Sequence, residues 1–283
     1  MRQITIHEAL HQTRRSIGDT DARMLLQHVL AVSHARLIAY SDQELLPEQT
    51  QYLGKLTERR ACGEPVAYIT GKREFYGLDF KVSPAVLIPR PETELLVDLA
   101  LERIPVGCAF KVLDLGTGSG AIALAIAKHR PLVSVIAVDA SVEAVRIAES
   151  NAEELNVHNV RIMKGDWFKG LAAERFDLIV SNPPYVASGD PHLTQGDLRF
   201  EPTRALTDGA DGLGCLRSII GSAPAHLVAG GTLLVEHGYD QAEACCQLMK
   251  DAGFGAIICR PDLAGIPRVS GGVWMIPQGM NRT

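Results

Sequence analysis

From Lys111 onward, short apolar runs alternate with stretches of helical periodicity, and that alternation leaves few folds open. Lys111 to Leu115 reads as a strand, followed by a glycine-rich turn and a helix from Ala121 to His129. Val133 to Val138 reads as a second strand, with a helix from Ser141 to about Leu155. Val160 to Met163 and Phe176 to Val180 follow as strands. Gly209 to Val228 is expected to be largely helical, Gly231 to Glu236 a strand, and Gln241 to Ala252 a helix. Two last strands, Gly255 to Cys259 and Gly271 to Ile276, have no clear helix between them and are expected to pair antiparallel. Strands joined through helices run parallel, and their near-continuous apolar runs need cover on both faces. The expectation is an α/β, Rossmann-like domain.

The texture before this region differs, and 283 residues leave room for about two domains. Thr20-Asp21 precedes an apolar-periodic stretch, Met24 to Val32, in the manner of an N-cap. Ser33 is placed to cap a second run through Leu37-Ile38, and Pro47 suits the first position of a helix from Glu48 to Arg60. Val66 to Thr70 and Phe75 to Val82, separated by Gly71-Lys72, read as a hairpin linking two domains. Arg90-Pro91-Glu92-Thr93-Glu94 then opens a helix to about Ile104, with a proline and acids suited to a first turn. The expected division is a helical bundle over 1–64, a hairpin linker over 65–82 and a catalytic domain over 83–283.

Composition excludes several classes. With 46% hydrophobic and 22% charged residues the chain can bury a core and is not disordered. Its 28 Lys/Arg against 33 Asp/Glu give a net charge of −5, where a protein built to grip nucleic acid carries a basic excess. The first 80 residues hold ten Lys/Arg and ten Asp/Glu and are neutral. The start, Met1 to Arg15, lacks the apolar core of a signal peptide, and no run approaches the ~20 apolar residues of a membrane span. Six cysteines show no C-x-x-C spacing and nine histidines no H-E-x-x-H, which argues against a metal site or disulfide framework. The expectation is a cytoplasmic protein with reduced, mostly buried thiols.

Val112-Leu113-Asp114-Leu115-Gly116-Thr117-Gly118-Ser119-Gly120 ends a strand and enters a helix, where glycines let backbone N–H groups approach a ligand at the helix N-terminus. Gly116, Gly118 and Ala121 also satisfy the dinucleotide fingerprint G-x-G-x-x-G/A, so the pattern alone leaves a nicotinamide cofactor open. Asp114 tilts the reading towards S-adenosylmethionine. A carboxylate there can receive the methionyl ammonium and would repel a pyrophosphate. Asp139, 19 residues after Gly120, can accept both ribose hydroxyls of either cofactor. After the third strand, Asp166 can accept from an adenine amino group and Trp167 can cover the ring face.

Asn182-Pro183-Pro184-Tyr185 directly follows the strand at Phe176. Ligands bind at the carboxyl ends of strands in open α/β sheets, and two prolines make this turn stiff. A planar nitrogen bonded to an sp2 carbon is a poor nucleophile because its lone pair is delocalised. The Asn182 side-chain oxygen and the Pro183 carbonyl can accept its two N–H bonds, orienting it and stabilising the positive charge that develops. Tyr185 offers a flat face for a planar amide or base. Candidate acceptors are the exocyclic amines of adenine, cytosine and guanine, and the side-chain amide of glutamine.

Flanking motifs narrow this. Gly63 to Gly71, Arg73-Glu74-Phe75-Tyr76-Gly77, Leu87 to Glu94, Gly165-Asp166-Trp167-Phe168, Ser181 to Tyr185, Arg199-Phe200-Glu201-Pro202 and Glu236-His237-Gly238, with the glycine turn, resemble the release factor glutamine methyltransferase family. The resemblance spans residues ~1–275. It implies a Rossmann-like S-adenosylmethionine-dependent methyltransferase domain with a small N-terminal helical domain. It implies a substrate too: the glutamine of the Gly-Gly-Gln motif of class I peptide chain release factors. By the same resemblance, Gly116, Thr117, Gly118, Ser119, Gly120, Asp139, Trp167 and Asn182 contact the cofactor, and Asn182, Pro183, Pro184 and Tyr185 hold the glutamine. Arg90 to Glu94 matches a segment near the methionyl end. Asp262 to Gly265 is followed by Ile-Pro, where the family's usual pattern has two polar residues before Arg268.

Val186 to Asp208 runs 23 residues without a convincing element, which suggests a binding loop or lid. Two other readings remain. A DNA or RNA exocyclic-amine methyltransferase would want a Lys/Arg density that isolated pairs such as Arg59-Arg60 and Lys72-Arg73 do not supply. A non-catalytic adaptor has no chemical need for Asn182 to Tyr185. The expected protein is a monomeric enzyme that docks on release factors, with no stable nucleic-acid binding and no membrane association.

Overall fold

The computed structural model describes residues 3–171 and 174–275 and divides into two units, one of residues 73–193 and 201 onward, the other of residues up to 72 together with 194–200. The larger unit holds a seven-stranded sheet. Its strands are β3 (Phe110–Leu115), β4 (Val133–Asp139), β5 (Val160–Lys164), β6 (Phe176–Ser181), β7 (Leu227–Glu236), β8 (Phe254–Pro261) and β9 (Pro267–Trp274), in the order β5-β4-β3-β6-β7-β9-β8. All pairings are parallel except those of β9, which runs antiparallel to β8, as the sequence predicts, and to β7, which it did not foresee. The chain winds outward from β3 through β4 to β5, then returns beside β3 with β6 and continues the other way. The switch point therefore lies between β3 and β6, where Leu115 sits opposite Ser181.

Alternation along each strand sends side chains into two cores. Val112, Val135, Leu178, Val180 and Leu234 pack against α6 (Glu94–Arg103) and α7 (Ala121–His129), whose residues Ala121 to Ala127 are all buried. Leu113, Leu115, Ile136, Ile179, Leu233 and Val235 face the other way, towards Leu216 and Ile219 of α10 (Gly214–Ser222) and Met249 of α11 (Ala242–Asp251). Full burial of each such side chain stabilises by about 1.5–3 kcal/mol. Helix α8 (Val142–Glu154) follows β4 with Ser141 as N-cap, its Oγ accepting from Ala144 N at 3.2 Å.

The smaller unit comprises α1 (Ile6–Ile17), α2 (Asp19–Leu30), α3 (His34–Ala39), α4 (Pro47–Ala61) and α5 (Val66–Thr70) around Leu25, Leu26, Leu53, Leu56, Val66 and Ile69. Ser33 caps α3 and Pro47 opens α4, as read from the sequence. Helix α1 starts with a reciprocal cap in which Thr5 Oγ1 accepts from Glu8 N and Glu8 Oε2 from Thr5 N, a signal the sequence reading passed over. Helix α2 begins at Asp19, ahead of the expected cap at Thr20-Asp21.

Four expectations need correction. Val66 to Thr70 is one helical turn and no strand: Pro65 starts it, Gly71 at φ +72° stops it, and Val66 and Ile69 share one buried face. A short apolar run carries no periodicity that separates strand from buried helix. The hairpin is confined to β1 (Lys72–Phe75) and β2 (Leu78–Lys81), closed by Tyr76 and Gly77 at φ +53° and +73°, the two left-handed residues of a tight hairpin turn. Gly209 to Val228 is helical only over α10 and a 3-10 turn, because Asp208 gathers the amides of Ala210, Gly212 and Gly214 into a loop. The 186–208 connection carries 3-10 turns at Pro191–Thr194 and Leu198–Phe200 and the short α9 (Thr203–Leu206). Its residues 194–200 group with the helical unit, where Arg60 Nη1 bonds Asp197 Oδ1 at 2.9 Å and Arg199 Nη2 bonds the Cys62 carbonyl at 3.0 Å.

The thiols are less buried than expected: Cys245 is buried, but Cys62 and Cys108, at a helix end and in a loop, are exposed. Ile276 lies outside the described residues. Among the described residues no helix is long and apolar enough to cross a membrane, and no cluster of His, Cys, Asp and Glu is arranged to hold a metal.

Candidate active site

Pairing of β3 with β6 brings two turns side by side: Gly116 to Gly120 after Leu115, and Asn182 to Tyr185 after Ser181. Ser181 Oγ donates to the Leu115 carbonyl at 2.7 Å and ties the strand ends together. Gly116, Gly118 and Gly120 have φ of +75°, +58° and +83°. Four of the five amides of this turn are spent inside the protein. Gly116 N and Thr117 N both bond the Val138 carbonyl, Gly118 N bonds Asp139 Oδ2 at 2.9 Å, and Gly120 N bonds the Thr117 carbonyl. The glycines thus serve by adopting positive φ without strain. Only at Gly120 would an added Cβ also crowd its neighbours, Leu124 Cδ1 at 3.0 Å and Ala148 Cβ at 3.2 Å. These amides do not form the cradle expected for an anion, which weighs against a pyrophosphate and leaves Asp114 to set the charge preference.

Asp114 is fully buried. Its Oδ2 accepts from Thr117 Oγ1 at 2.6 Å, while Oδ1 has no hydrogen-bond partner among the described residues. Burial pushes its carboxyl up to about 7, against the Thr117 hydroxyl and with the Asp139 charge adding to the rise. A buried carboxylate oxygen without a donor is costly, and an incoming ammonium would both partner it and favour its charged form.

A cavity of about 340 Å³ opens beside the turn, within the usual range of ligand sites. Gly116, Gly118, Asp139, Asp166, Trp167, Asn182 and Pro184 line it, with Ala85 to Leu87 and Arg204. Asp139, at the end of β4, accepts from Gly118 N and Ser141 N with separate oxygens, which fixes the carboxylate in place with lone pairs remaining. Trp167 holds a left-handed backbone at φ +50°. Asp166 also bonds Lys169 Nζ at 2.5 Å. Asp114, Thr117, Ser119, Gly120 and Pro183 do not line the cavity: Asp114 lies behind it bonded by Thr117, Ser119 is buried with its carbonyl bonded to Asn151 Nδ2, and Gly120 caps α7.

On the other side Asn182 Nδ2 donates to Thr93 Oγ1 at 3.1 Å, which leaves Oδ1 as the amide's acceptor. Pro183 is buried. Tyr185 is off the cavity wall: its Oη donates to Glu236 Oε1 at 3.2 Å and its carbonyl accepts from Gln241 Nε2 at 2.9 Å. Burial and the Glu236 charge hold its phenol above the ordinary value. Glu236 is 1% exposed and its Oε2 has no partner among the described residues. Burial pushes it up to about 7, the Thr93 and Tyr185 hydroxyls and the Arg268 guanidinium pulling it down.

Sequence reasoning flagged the turn residues and the strand-end acids but gave Thr93 and Glu236 no role of their own. A signal existed for Glu236, which ends β7 as Asp114 nearly ends β3 and Asp139 ends β4. A further pair fastens the segment before α6: buried Glu201 accepts from Ile88 N at 3.1 Å and from Arg90 Nη2.

A doubly wound sheet with a glycine turn and an Asn-Pro-Pro-Tyr turn at its switch point defines an S-adenosylmethionine-dependent methyltransferase. Family models described as "Methyltransferase small domain" and "PrmC N-terminal domain" match residues 92–199 and 6–71. The fold is shared with a solved methyltransferase from Pyrococcus furiosus (TM-score 0.55, 21% identity, covering 79% of this chain and all of that one). It is shared also with the 16S rRNA N2 G1207 methyltransferase of T. thermophilus (TM-score 0.53, 22% identity, 71% and 49% covered). Among curated proteins the chain is 51% identical to the release factor glutamine methyltransferase of Bordetella pertussis (89% of this chain, 93% of that one), and 47% identical to the Escherichia coli protein of that name (88% and 90%). It therefore belongs to the release factor glutamine methyltransferase family.

Proposed function

We propose that this protein transfers a methyl group from S-adenosylmethionine to the side-chain amide nitrogen of the glutamine in the Gly-Gly-Gln motif of class I peptide chain release factors. Family membership supports the substrate. The observation that carries the chemistry is the Asn182 amide, its nitrogen held by Thr93 and its oxygen left as an acceptor beside the cavity.

The cofactor supplies a methyl carbon on a positively charged sulfur. Asp114 Oδ1 would take the methionyl ammonium, Asp139 the ribose hydroxyls, and Asp166 and Trp167 the adenine. Asn182 Oδ1 and the Pro183 carbonyl accept the two N–H bonds of the glutamine amide, so its nitrogen is aimed and the charge it acquires is met by two negative dipoles. Tyr185, pinned through both its phenol and its carbonyl, gives the turn a fixed wall beside Pro184. The methylated amide then loses its extra proton to water. The helical unit, with ten Lys/Arg against nine Asp/Glu and carrying residues 194–200, recognises the partner protein in the cytoplasm, the enzyme acting as a monomer.

The decisive experiment offers labelled S-adenosylmethionine to a purified release factor, to its Gly-Gly-Gln Gln→Ala variant, and to bare DNA and RNA. Label on the intact factor alone is expected. Label on nucleic acid alone would overturn the assignment in favour of an exocyclic-amine methyltransferase.

A further inference from the structure

We infer that Glu201 and Arg90 are positioning residues: the buried Glu201 carboxylate fixes the segment Leu87 to Thr93, which walls the cavity at one end and holds the Asn182 amide at the other. This role rests on the reading of Asn182 as the group that accepts the substrate N–H.

Leu87 to Arg90 belongs to no helix or strand. Pro89 and Pro91 have no N–H to give, and a proline holds the residue before it in extended backbone, as Arg90 shows at φ −99° and ψ 143°. A segment outside any regular ladder needs other partners to fix it. Glu201 supplies them from 113 residues along the chain, with its side chain 0% exposed. One of its oxygens accepts from Ile88 N at 3.1 Å and the other from Arg90 Nη2. Both ends of the segment follow from these two bonds. Ile88 comes directly after Ala85 to Leu87, which line the cavity. Past it, the Arg90 carbonyl accepts from Thr93 N at 3.1 Å and closes the 3-10 turn Pro91–Thr93. Thr93 Oγ1 then accepts from Asn182 Nδ2. A continuous route thus runs from Glu201 through Arg90 and Thr93 to the amide that meets the substrate. Two motifs far apart in the sequence, Leu87 to Glu94 and Arg199 to Pro202, meet in this one ion pair. Apolar residues of similar volume often stabilise a fold as well as a buried ion pair does, so the pair's location argues for placement rather than stability.

The test combines kinetics with a signal that needs no substrate. Arg90→Ala leaves the buried carboxylate without its cation, Arg90→Lys restores a cation, and Glu201→Gln keeps the shape but removes the charge. Arg90→Ala and Glu201→Gln are each expected to slow single-turnover methylation of a release factor, at saturating S-adenosylmethionine, about tenfold, as a small misplacement of an aligning group does. Calorimetric cofactor affinity should stay within about threefold, because neither side chain lines the cavity. Arg90→Lys should fall between Arg90→Ala and the wild type. The double variant Arg90→Ala/Glu201→Gln should be little slower than the slower single one, the non-additivity of a shared chain. The chain contains five asparagines, so selective ¹⁵N-asparagine labelling gives few side-chain amide signals. The Asn182 pair, identified by its loss in Asn182→Ala, should shift in Arg90→Ala and Glu201→Gln. The other signals should stay, among them that of buried Asn151, whose amide donates to the Ser119 and Lys81 carbonyls and would move with any general loosening. Additive rate losses, equal defects in Arg90→Ala and Arg90→Lys, a loss confined to cofactor affinity, or an Asn182 signal that stays put would overturn the positioning role. Should Glu201→Gln fail to fold, Arg90→Ala against Arg90→Lys carries the comparison. A wild-type enzyme that leaves the release factor unlabelled would instead sink the substrate assignment, and the amide signals would still judge the role of Glu201.

Discussion

Asp114 and Glu236 are buried acids at the ends of β3 and β7, the strands on either side of β6. Burial pushes each up to about 7, and each has one oxygen on a hydroxyl and one with no partner among the described residues. They differ in where their partners come from. Asp114 meets Thr117 three residues on, within one turn. Glu236 meets the Tyr185 phenol, which only the pairing of β6 with β7 brings within reach. On the proposed reading the first waits for a charge that the cofactor brings, and the second takes the Tyr185 phenol and so steadies the turn that carries Asn182. The same burial thus serves binding at one strand end and alignment at the other.

The contrast is sharpest in what each side should lose. Asn182→Ala removes the aligned acceptor on the Glu236 side and should lower kcat by roughly 10²–10³-fold, by analogy with loss of an oxyanion donor, with cofactor affinity nearly intact. Single-turnover methylation alongside calorimetry checks both halves. A loss confined to affinity would place Asn182 on the cofactor side and dissolve the distinction.

On the Asp114 side the expected loss is in binding. Asp114→Asn keeps the shape and removes the charge offered to the ammonium, which should cost about 1.5–3 kcal/mol of S-adenosylmethionine affinity while kcat at saturation holds. Asp139→Ala should cost a similar amount through the ribose and move the pH dependence of binding to lower pH, since the Asp139 charge no longer raises Asp114. Unchanged calorimetric affinity in either variant removes that residue from the cofactor site.

A smaller effect separates Asp114 from Asp139 by pH. The free enzyme's Asp114 titrates near 7, and an ammonium favours its charged form. Binding must then release a proton at low pH, so affinity should fall by up to about tenfold per unit as pH drops below 7, and level off above it. Asp114→Asn should flatten that slope. A wild-type affinity that is flat from pH 8 to 5.5 would show that no such proton is released.

How legible the two sides were follows the same division. The sheet could be read because its strands are apolar runs closed by helices, and helix α7 begins and ends at the residues the sequence marked. The glycine turn, Asp114 and Asp139 could be read because their geometry is set within a few residues. Val66 to Thr70 could not, since five apolar residues suit a strand or a buried helical turn equally, and Pro65 and Gly71 decided it. Thr93 and Glu236 could not, because neither has a local partner that marks it: Thr93 gains meaning from Asn182, which β6 delivers from 89 residues away. Residues 194–200 fell in a connection read as a lid, and their grouping with the helical unit depends on Asp197 finding Arg60 across 137 residues.

The smallest effect concerns stability, and its sign distinguishes a functional acid from a structural one. A carboxyl held near 7 in the folded chain and in the ordinary range when unfolded binds its proton more tightly when folded. Folding then takes up a proton between those values, so each acid costs nothing below about pH 4, where both states are protonated, and destabilises increasingly until pH passes its folded value. Asp114→Asn and Glu236→Gln should therefore leave the Tm of the free enzyme nearly unchanged at pH 4.5 and raise it at pH 8, by about 2–4 °C for each kcal/mol relieved. The charged groups around Glu236 shape its share: Arg268 on β9 lowers the cost, and Glu92 before α6 raises it. Saturating S-adenosylmethionine should then reverse the order for Asp114 alone, since the ammonium stabilises the wild-type carboxylate and finds only an amide in the variant. Glu236→Gln should keep its advantage with the cofactor bound, because the groups that set it belong to the protein. A cofactor that cancels both gains equally would mean that the two acids face the same ligand, and the division of labour between the two strand ends would fall.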